Sequence, residues 1–555
     1  MKKERILITA IIILGFFIRV LFVDKYPAGF NADEYSQGYT AYSILKTGKD
    51  EWGVKFPITP RAYGDYRSPL YTYLIIPSIY IFGLNEFSVR LPNAIYGALA
   101  ILVLYFVVKE LFNNDTLALI SSLFLALSPW HICLSRGAFE ANLTTLLLPL
   151  GIFFFLKAIK SEKTSTINFI LSSIFFSLNI FSYYSPRFFT PICVLILVFV
   201  YWKDFSRKKG KSIFVLFFCA VVLGSLLMLL GGVKTRVSDT SILNPTDKWG
   251  SLSERQYDAI FLGLPSKIER FFNNKITFSV NQFWKNYLGY FSFEFLFTKG
   301  ASEATYGMIP GRGVLYLFEL PFIFYTLFLL LKNKDRKLLT ILLILVFSPV
   351  AASLAKGERA GNRSSTMIPF LQILSAYGLV SFYELCKKKN YCRKLIFGFF
   401  LGFIVFFAFF MEDYIFHAPK LNSIGMAYGW RQLVDYLNLE GMKYQRVVIS
   451  KSFSEPQIAL AFFQKLDPLL VQKYAPKWLE YEKKGLLFVD MLSEYNLEKY
   501  EFRNFHFPDE DKTGKTLFVG SDKDFWGINA NVQKIIYYPG PSEKVAFKAV
   551  IFEEK

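Results

Sequence analysis

Long apolar runs alternate with short polar connections along the first three quarters of this chain. A helix that crosses a bilayer needs about 20 predominantly apolar residues. Eleven segments read that way: 6–23, 91–108, 116–132, 142–159, 167–183, 188–202, 212–230, 313–331, 338–355, 365–385 and 394–411. One more apolar stretch, "PLYTYLIIPSIYIFG" at 69–83, has only 15 residues, with Pro77 near its centre. It reads as an interfacial or re-entrant helix pair, because counting it as a span would invert every later loop. After residue 411 the pattern changes. "QRVVISK", "GLLFVD", "KTLFVG" and "KIIYY" are short β-rich runs, and "EPQIALAFFQKL" has helical periodicity. The expected fold class is a polytopic α-helical membrane protein over 1–411, followed by a small soluble α/β domain over 412–555.

The connections orient the bundle. "MKKER", "KELFNND", "KSEK", "KDFSRKKGK", "KNKDRK" and "CKKKNYCRK" fall on alternate connections. The positive-inside rule puts them in the cytoplasm. The N-terminus is then cytoplasmic and, after eleven spans of a plasma membrane, the tail is extracytoplasmic. The tail is expected to be dispensable for folding of the membrane half. Two outer connections are long, 24–90 and 231–312. The net charge is +19, while residues 412–555 hold 19 Lys/Arg against 20 Asp/Glu, or −1. The positive excess therefore belongs to the membrane half and is a topology signal. No basic arm or reader motif points to nucleic acid. None of the five cysteines follows residue 411, so no disulfide framework supports the tail; His131, His417 and His506 show no ligand spacing, and neither a metal site nor a cofactor is expected.

The ionisable residues that need explaining gather at the outer end. Asp33 and Glu34 lie in "GFNADEYSQGY" and Arg67 in "GDYRSPLY". Arg90 precedes a Leu-Pro pair, Arg136 and Glu140 share "SRGAFEAN", Tyr184 and Arg187 share "YYSPRFF", and Arg363 lies in "GNRSSTMIP". Arg19 is near the outer end of the first span. Each has a local reading. Asn31-x-x-Glu34 fits a capping box, and Asp33 suits a helix start. Arg136 and Glu140 suit an i,i+4 pair. Arg19 and Arg90 suit snorkelling, and Tyr184 suits an interface anchor. None of these explains why the cluster is one-sided. Arginines hold phosphate oxygens in a planar fork, and ionisable groups at membrane depth are functional candidates. A lipid-linked phosphosugar in the outer leaflet fits this set. Arg67, Arg136, Arg187 and Arg363 then bind its phosphate, with Arg19, Arg90, Glu140 and Tyr184 in support. Asp33 or Glu34 takes the proton of an attacking acceptor hydroxyl, and the other orients it. A lipid monophosphate has no diphosphate for a divalent metal to bridge.

The acidic pair after span one, followed by "YSILKTGKDEWG", "YGDYRSPLYTYL" and "FGLNEFSVRLP", resembles the dolichyl-phosphate-mannose protein mannosyltransferase family. That family includes bacterial members and is related to the lipid A aminoarabinose transferases. "SRGAFEAN", "YYSPRFFTP" and "NRSSTMIPF" resemble its later blocks, so the likeness covers about residues 1–411. It implies the GT-C fold, a polyprenyl-phosphate sugar donor and inversion at the anomeric carbon. By the same resemblance Asp33 takes the position of the catalytic Asp, Arg67 that of a basic residue near the donor phosphate, and Arg363 that of an Arg before a late Ile-Pro. Many relatives carry a His shortly before that Arg. This chain reads "RAGNR" there, so no metal ligand is carried over. The sugar and the acceptor (glycan, lipid or protein) are left open. The rival reading is a transporter or flippase of lipid-linked saccharides, which predicts ionisable residues lining a path at mid-span.

Overall fold

Nine helices occupy much of the first 200 residues: α1 (Lys2–Val20), α2 (Ala32–Thr47), α3 (Pro69–Phe82), α4 (Glu86–Phe112), α5 (Asp115–Leu127), α6 (Pro129–Arg136), α7 (Thr144–Lys160), α8 (Ser165–Ile180) and α9 (Tyr184–Val200). Long helices also cover Lys211–Gly231, Leu320–Asn333, Arg336–Phe347, Ile368–Cys386 and Asn390–Glu412. The computed structural model describes residues 2–231, 241–243, 249–507, 510, 513–541 and 543–552, so part of the second long connection (232–240 and 244–248) lies outside the described residues.

All eleven apolar segments contain helix, with three differences from the expected spans. Pro129, which has no N–H to donate, divides the third into α5 and α6 at a bend of 56°. The eighth becomes α-helical only at Leu320, after a 3₁₀ turn over Leu317–Glu319. The ninth is interrupted between Phe347 and Val350. Among the described residues five helices are long and apolar enough to cross a membrane, or six if the bent pair is one span. The 69–83 stretch is a single helix, α3, that runs through Pro77, so the expected helix pair is not formed. Phe199 and Leu331 are 80% and 79% exposed. They belong to the outward apolar surface that a bilayer covers.

Helix α4 is 27 residues long. Arg90, near its start, meets Glu34 of the acidic pair on α2. About 28 Å away at 1.5 Å per residue, its other end gathers the Lys-rich connections. Lys109 meets Asp115 at 2.7 Å, Lys160 meets Glu110 at 2.9 Å, Arg336 meets Asp204 at 3.0 Å, and Lys208 pairs with Glu162. Cys386 and Cys392 form a disulfide around one of these connections.

The C-terminal part forms a six-stranded sheet in the order β2-β3-β1-β4-β6-β5. Its strands are β1 (Arg446–Ile449), β2 (Glu494–Leu497), β3 (Tyr500–Arg503), β4 (Thr516–Gly520), β5 (Asn531–Tyr537) and β6 (Val545–Ile551). β1 is parallel to both β3 and β4, and the outer pairings are antiparallel. "QRVVISK", "KTLFVG" and "KIIYY" contribute strands as expected. "GLLFVD" does not; it ends in a 3₁₀ turn at Val489–Met491.

The tail does not pack as a separate unit. One hydrophobic core contains Tyr35, Tyr39, Trp52, Tyr63 and Tyr71 of the connection over 24–90 together with Trp430, Val447, Phe462, Trp478 and Phe547 of the tail. Helix Pro456–Phe463 packs on α2 so closely that a Cβ at Gly38 would lie 2.7 Å from the Phe462 ring. Burial of each large apolar side chain stabilises by about 1.5–3 kcal/mol. Truncation after residue 422 is therefore expected to leave no monodisperse folded protein in detergent, as read by size-exclusion chromatography. A well-folded truncated chain would restore the tail to a dispensable appendage.

Candidate active site

Asn31 sets the geometry of the acidic pair. Its side chain accepts from Glu34 N at 3.0 Å, and the Glu34 carboxylate accepts from Asn31 N at 3.2 Å. This capping box starts α2 and separates the two acids. Glu34 is fully buried. Its oxygens accept from Arg90 Nε and Nη2, each at 2.7 Å, and from Ala138 N at 2.8 Å. Arg90 also donates to the carbonyls of Val23, Pro27 and Gly29 at 3.1, 3.0 and 2.6 Å. Asp33 points elsewhere, with its side chain 41% exposed. Arg67 Nη2 is 3.3 Å from Asp33 Oδ1, and the Tyr306 hydroxyl is 3.4 Å from Oδ2.

Three cavities meet around Asp33 and Tyr306. The largest, about 1020 Å³, takes one wall from Asp33, Asp65, Arg67 and Tyr306 and the other from the tail. A narrow neck of about 20 Å³ is lined by Asp33, Gln37, Arg67, Glu140, Tyr183, Tyr306 and Asn362. Beyond it a mostly apolar cavity of about 240 Å³ holds Tyr183, Tyr184, Phe188, Tyr306, Leu354 and Arg363. Tyr306 lines all three, and Asp33 lines the first two.

The structure thus brings together Asp33, Arg67, Glu140, Tyr184 and Arg363. Glu140 accepts from Gln37 Nε2 at 3.1 Å. Tyr184 donates its hydroxyl to the carbonyl of Tyr66, one residue from Arg67. Arg187 lies behind Tyr184, 5.3 Å from the ring centre, with Nε and Nη1 buried and unpartnered. Four expected site residues face away from these cavities. Glu34 and Arg90 neutralise each other in the interior. Arg19, expected in support, donates to the carbonyls of Gly15, Ala126 and Leu125 at 2.9, 3.0 and 3.2 Å and meets His131 Nδ1 at 2.8 Å. Arg136, expected on phosphate, donates to Leu21 O at 2.9 Å and to the carbonyls of Ile18, Phe22 and Tyr26, closing the end of α1. Free carbonyls at a helix C-terminus attract such a cation, and a guanidinium so occupied has little left for a phosphate.

Sequence reasoning missed Tyr306, Asn362 and the acids supplied by the tail. Asn362 adjoins Arg363 in "AGNRSS" and could have been read with it. Tyr306 is 273 residues from Asp33, with no local signal.

A second acid pair, Asp50 and Glu51, is buried beside α2. Glu51 accepts from Thr40 Oγ1 at 2.9 Å. Burial pushes its pKa up to about 8, helped by Asp50 and opposed by the Thr40 hydrogen bond. The folded chain then holds a proton that the unfolded chain releases near 4.5. Stability is expected to fall as pH rises from about 4.5 to about 8. Glu51→Gln removes that slope, so its Tm should overtake the parent's at alkaline pH. Parallel Tm–pH curves for the two proteins would contradict this assignment.

Among the described residues one group of acids and imidazole lies within metal-ligand range, Glu412, Asp413 and His417. It lies outside the three cavities. Asp413 pairs with Arg312, and His417 Nε2 is 3.0 Å from Glu412.

A polytopic bundle with an acid and arginines at one end of its helices, covered by an α/β unit, is the architecture that the GT-C resemblance implies. A family profile described as dolichyl-phosphate-mannose-protein mannosyltransferase matches residues 66–228 of this chain. ArnT from Cupriavidus metallidurans superposes over 99% of this chain and 98% of its own, with a TM-score of 0.53 and 12% identity. ArnT bound to undecaprenyl phosphate gives 0.54 at 13% identity, over 98% and 97% of the two chains. The archaeal oligosaccharyltransferase AglB from Archaeoglobus fulgidus gives 0.47 at 16% identity. This chain covers 63% of AglB, and the match covers 83% of this chain. No curated protein sequence matches the chain.

Proposed function

We propose that this protein is an inverting glycosyltransferase that moves a sugar from a polyprenyl-phosphate donor to an extracytoplasmic acceptor. It crosses the plasma membrane eleven times, with its N-terminus in the cytoplasm and residues 412–555 outside. The observation that carries the reading is the position of Asp33. It is the acid shared by the 1020 Å³ cavity and the neck that leads to the apolar cavity. The apolar cavity suits the first isoprene units of a lipid, with Arg363 at its wall. Arg67 lies between the two, beside Asp33.

The chemistry follows from that order. The acceptor hydroxyl approaches from the large cavity and gives its proton to Asp33. Its oxygen attacks the anomeric carbon from the face opposite the phosphate. The sugar–phosphate C–O bond breaks, and its electron pair leaves on the lipid phosphate. Arg67 and Arg363 balance the charge of that anion, and Tyr183 and Tyr306 line the path between them. One carboxylate and one displacement give inversion. Glu34 has no place in this scheme, because Arg90 and two backbone N–H groups occupy its oxygens. A flippase calls for charges along a mid-span path, whereas these cavities open among the loops at one end.

Arg67→Ala is expected to weaken donor binding as well as turnover, because the phosphate is present in both ground and transition states. The check is titration of the purified protein with polyprenyl phosphate. Unchanged affinity in Arg67→Ala and Arg363→Ala alike would remove the phosphate from this site.

A further inference from the structure

The wall that the tail presents to Asp33 has its own chemistry. Ser452–Glu455 and Ser521–Lys523 line the 1020 Å³ cavity with Tyr428, Phe488 and Trp526. The Trp526 side chain is 70% exposed. Glu455 is held at φ 49 and ψ 49 just before Pro456. A left-handed backbone is strained for a residue with a Cβ, and glycine would hold the turn without that strain. Its backbone N–H donates to Asp490 Oδ2 at 3.0 Å, and Tyr35 on α2 donates to Ser454 O at 2.7 Å. The loop is therefore tied down two residues along α2 from Asp33. The Glu455 oxygen Oε2 is buried with no hydrogen-bond partner. A buried carboxyl oxygen left open at a cavity wall is a binding group in want of a ligand.

We infer that the tail wall is the acceptor subsite and that it takes a saccharide, with Glu455 hydrogen-bonding an acceptor hydroxyl next to Asp33 and Trp526 stacking on a sugar ring. Aromatic faces beside interleaved polar groups match the two sides of a pyranose, its C–H face and its hydroxyl rim. Burial raises the Glu455 pKa well above the usual carboxylate range; Arg67 opposes this, and Asp490 and Asp33 add to it. A carboxyl group, when protonated, donates to one hydroxyl and accepts from another. The inference rests on the proposed glycosyl transfer and names its acceptor class.

The test uses the full-length protein in detergent with a polyprenyl-phosphate sugar. Three acceptor probes are compared: water, a panel of octyl hexosides, and a Ser/Thr-containing peptide. Glu455→Ala and Trp526→Ala should each raise the KM for the hexoside about tenfold. Donor affinity and the slow transfer to water should stay unchanged, a split that a folding defect does not produce. Glu455→Gln, which also donates and accepts, should restore most of the hexoside KM. Unchanged hexoside KM in both alanine variants, transfer to no hexoside, or preferred transfer to the peptide would each overturn the saccharide subsite. The underlying mechanism has a separate control. Asp33→Asn must lose transfer to water as well, and if it does not, the proposed function fails whatever Glu455 does.

Discussion

Asp33→Asn is expected to lower turnover by about 10²–10⁴-fold, the usual range for loss of a general base, while polyprenyl-phosphate binding survives. Asparagine keeps the size of the side chain and one acceptor oxygen, but its amide does not take a proton at neutral pH. The substitution also removes the negative partner of Arg67, 3.3 Å away. Phosphate affinity should therefore hold or rise slightly. The competing view makes Asp33 merely a favourable charge in the first turn of α2. Asparagine is well tolerated near a helix start, so that view predicts normal expression and nearly normal turnover. Kinetics of the purified variant, with donor binding measured alongside, separate the two. A variant at more than half the parent rate would remove Asp33 as base, and among the described residues no other acid is shared by the large cavity and the neck.

Arg90→Ala is expected to cost about 3–5 kcal/mol of stability, the range for stranding one half of a buried ion pair. Arg90 and Glu34 are both fully buried, and their bidentate contacts of 2.7 Å tie α4 to the start of α2. Three backbone carbonyls also lose their donor. The double variant Arg90→Leu with Glu34→Leu should recover part of the loss, because no uncompensated charge is left inside. Thermal unfolding in detergent is the check. If Arg90→Ala folded as stably as the parent but bound polyprenyl phosphate weakly, Arg90 would return to the phosphate site.

The contrast between these residues marks what could be read in advance. Asp33 and Arg67 are 34 residues apart within one connection, and their motif context pointed to a shared site. Arg19, Arg90 and Arg136 stood out by the same criterion of charge near a membrane face. A charge pattern does not distinguish an arginine aimed at a ligand from one that ties off backbone carbonyls, and these three do the latter. That distinction needs three-dimensional partners 56 to 118 residues away. The helices of the bundle were legible because lipid solvation demands long apolar runs. The breaks at Pro129 and Leu320 were less so, because apolar composition continues across them. In the tail, β2 ("EYNL") and β3 ("YEFR") are four-residue strands with polar outward positions, too short to stand out from loop. The union of the tail and the 24–90 connection in one core was invisible, since Tyr35, Trp52 and Trp478 each look like isolated aromatics along the chain.

A single displacement at a polyprenyl-phosphate sugar, with Asp33 as the base, fixes the stereochemistry of the product. The most direct measurement is the anomeric configuration of the first-formed product from a β-linked polyprenyl-phosphate sugar, read by NMR before any mutarotation. An α-linked product is expected, formed about 10²–10⁴-fold more slowly by Asp33→Asn. A β-linked product would mean retention through a second displacement, and the one-carboxylate mechanism would have to be given up.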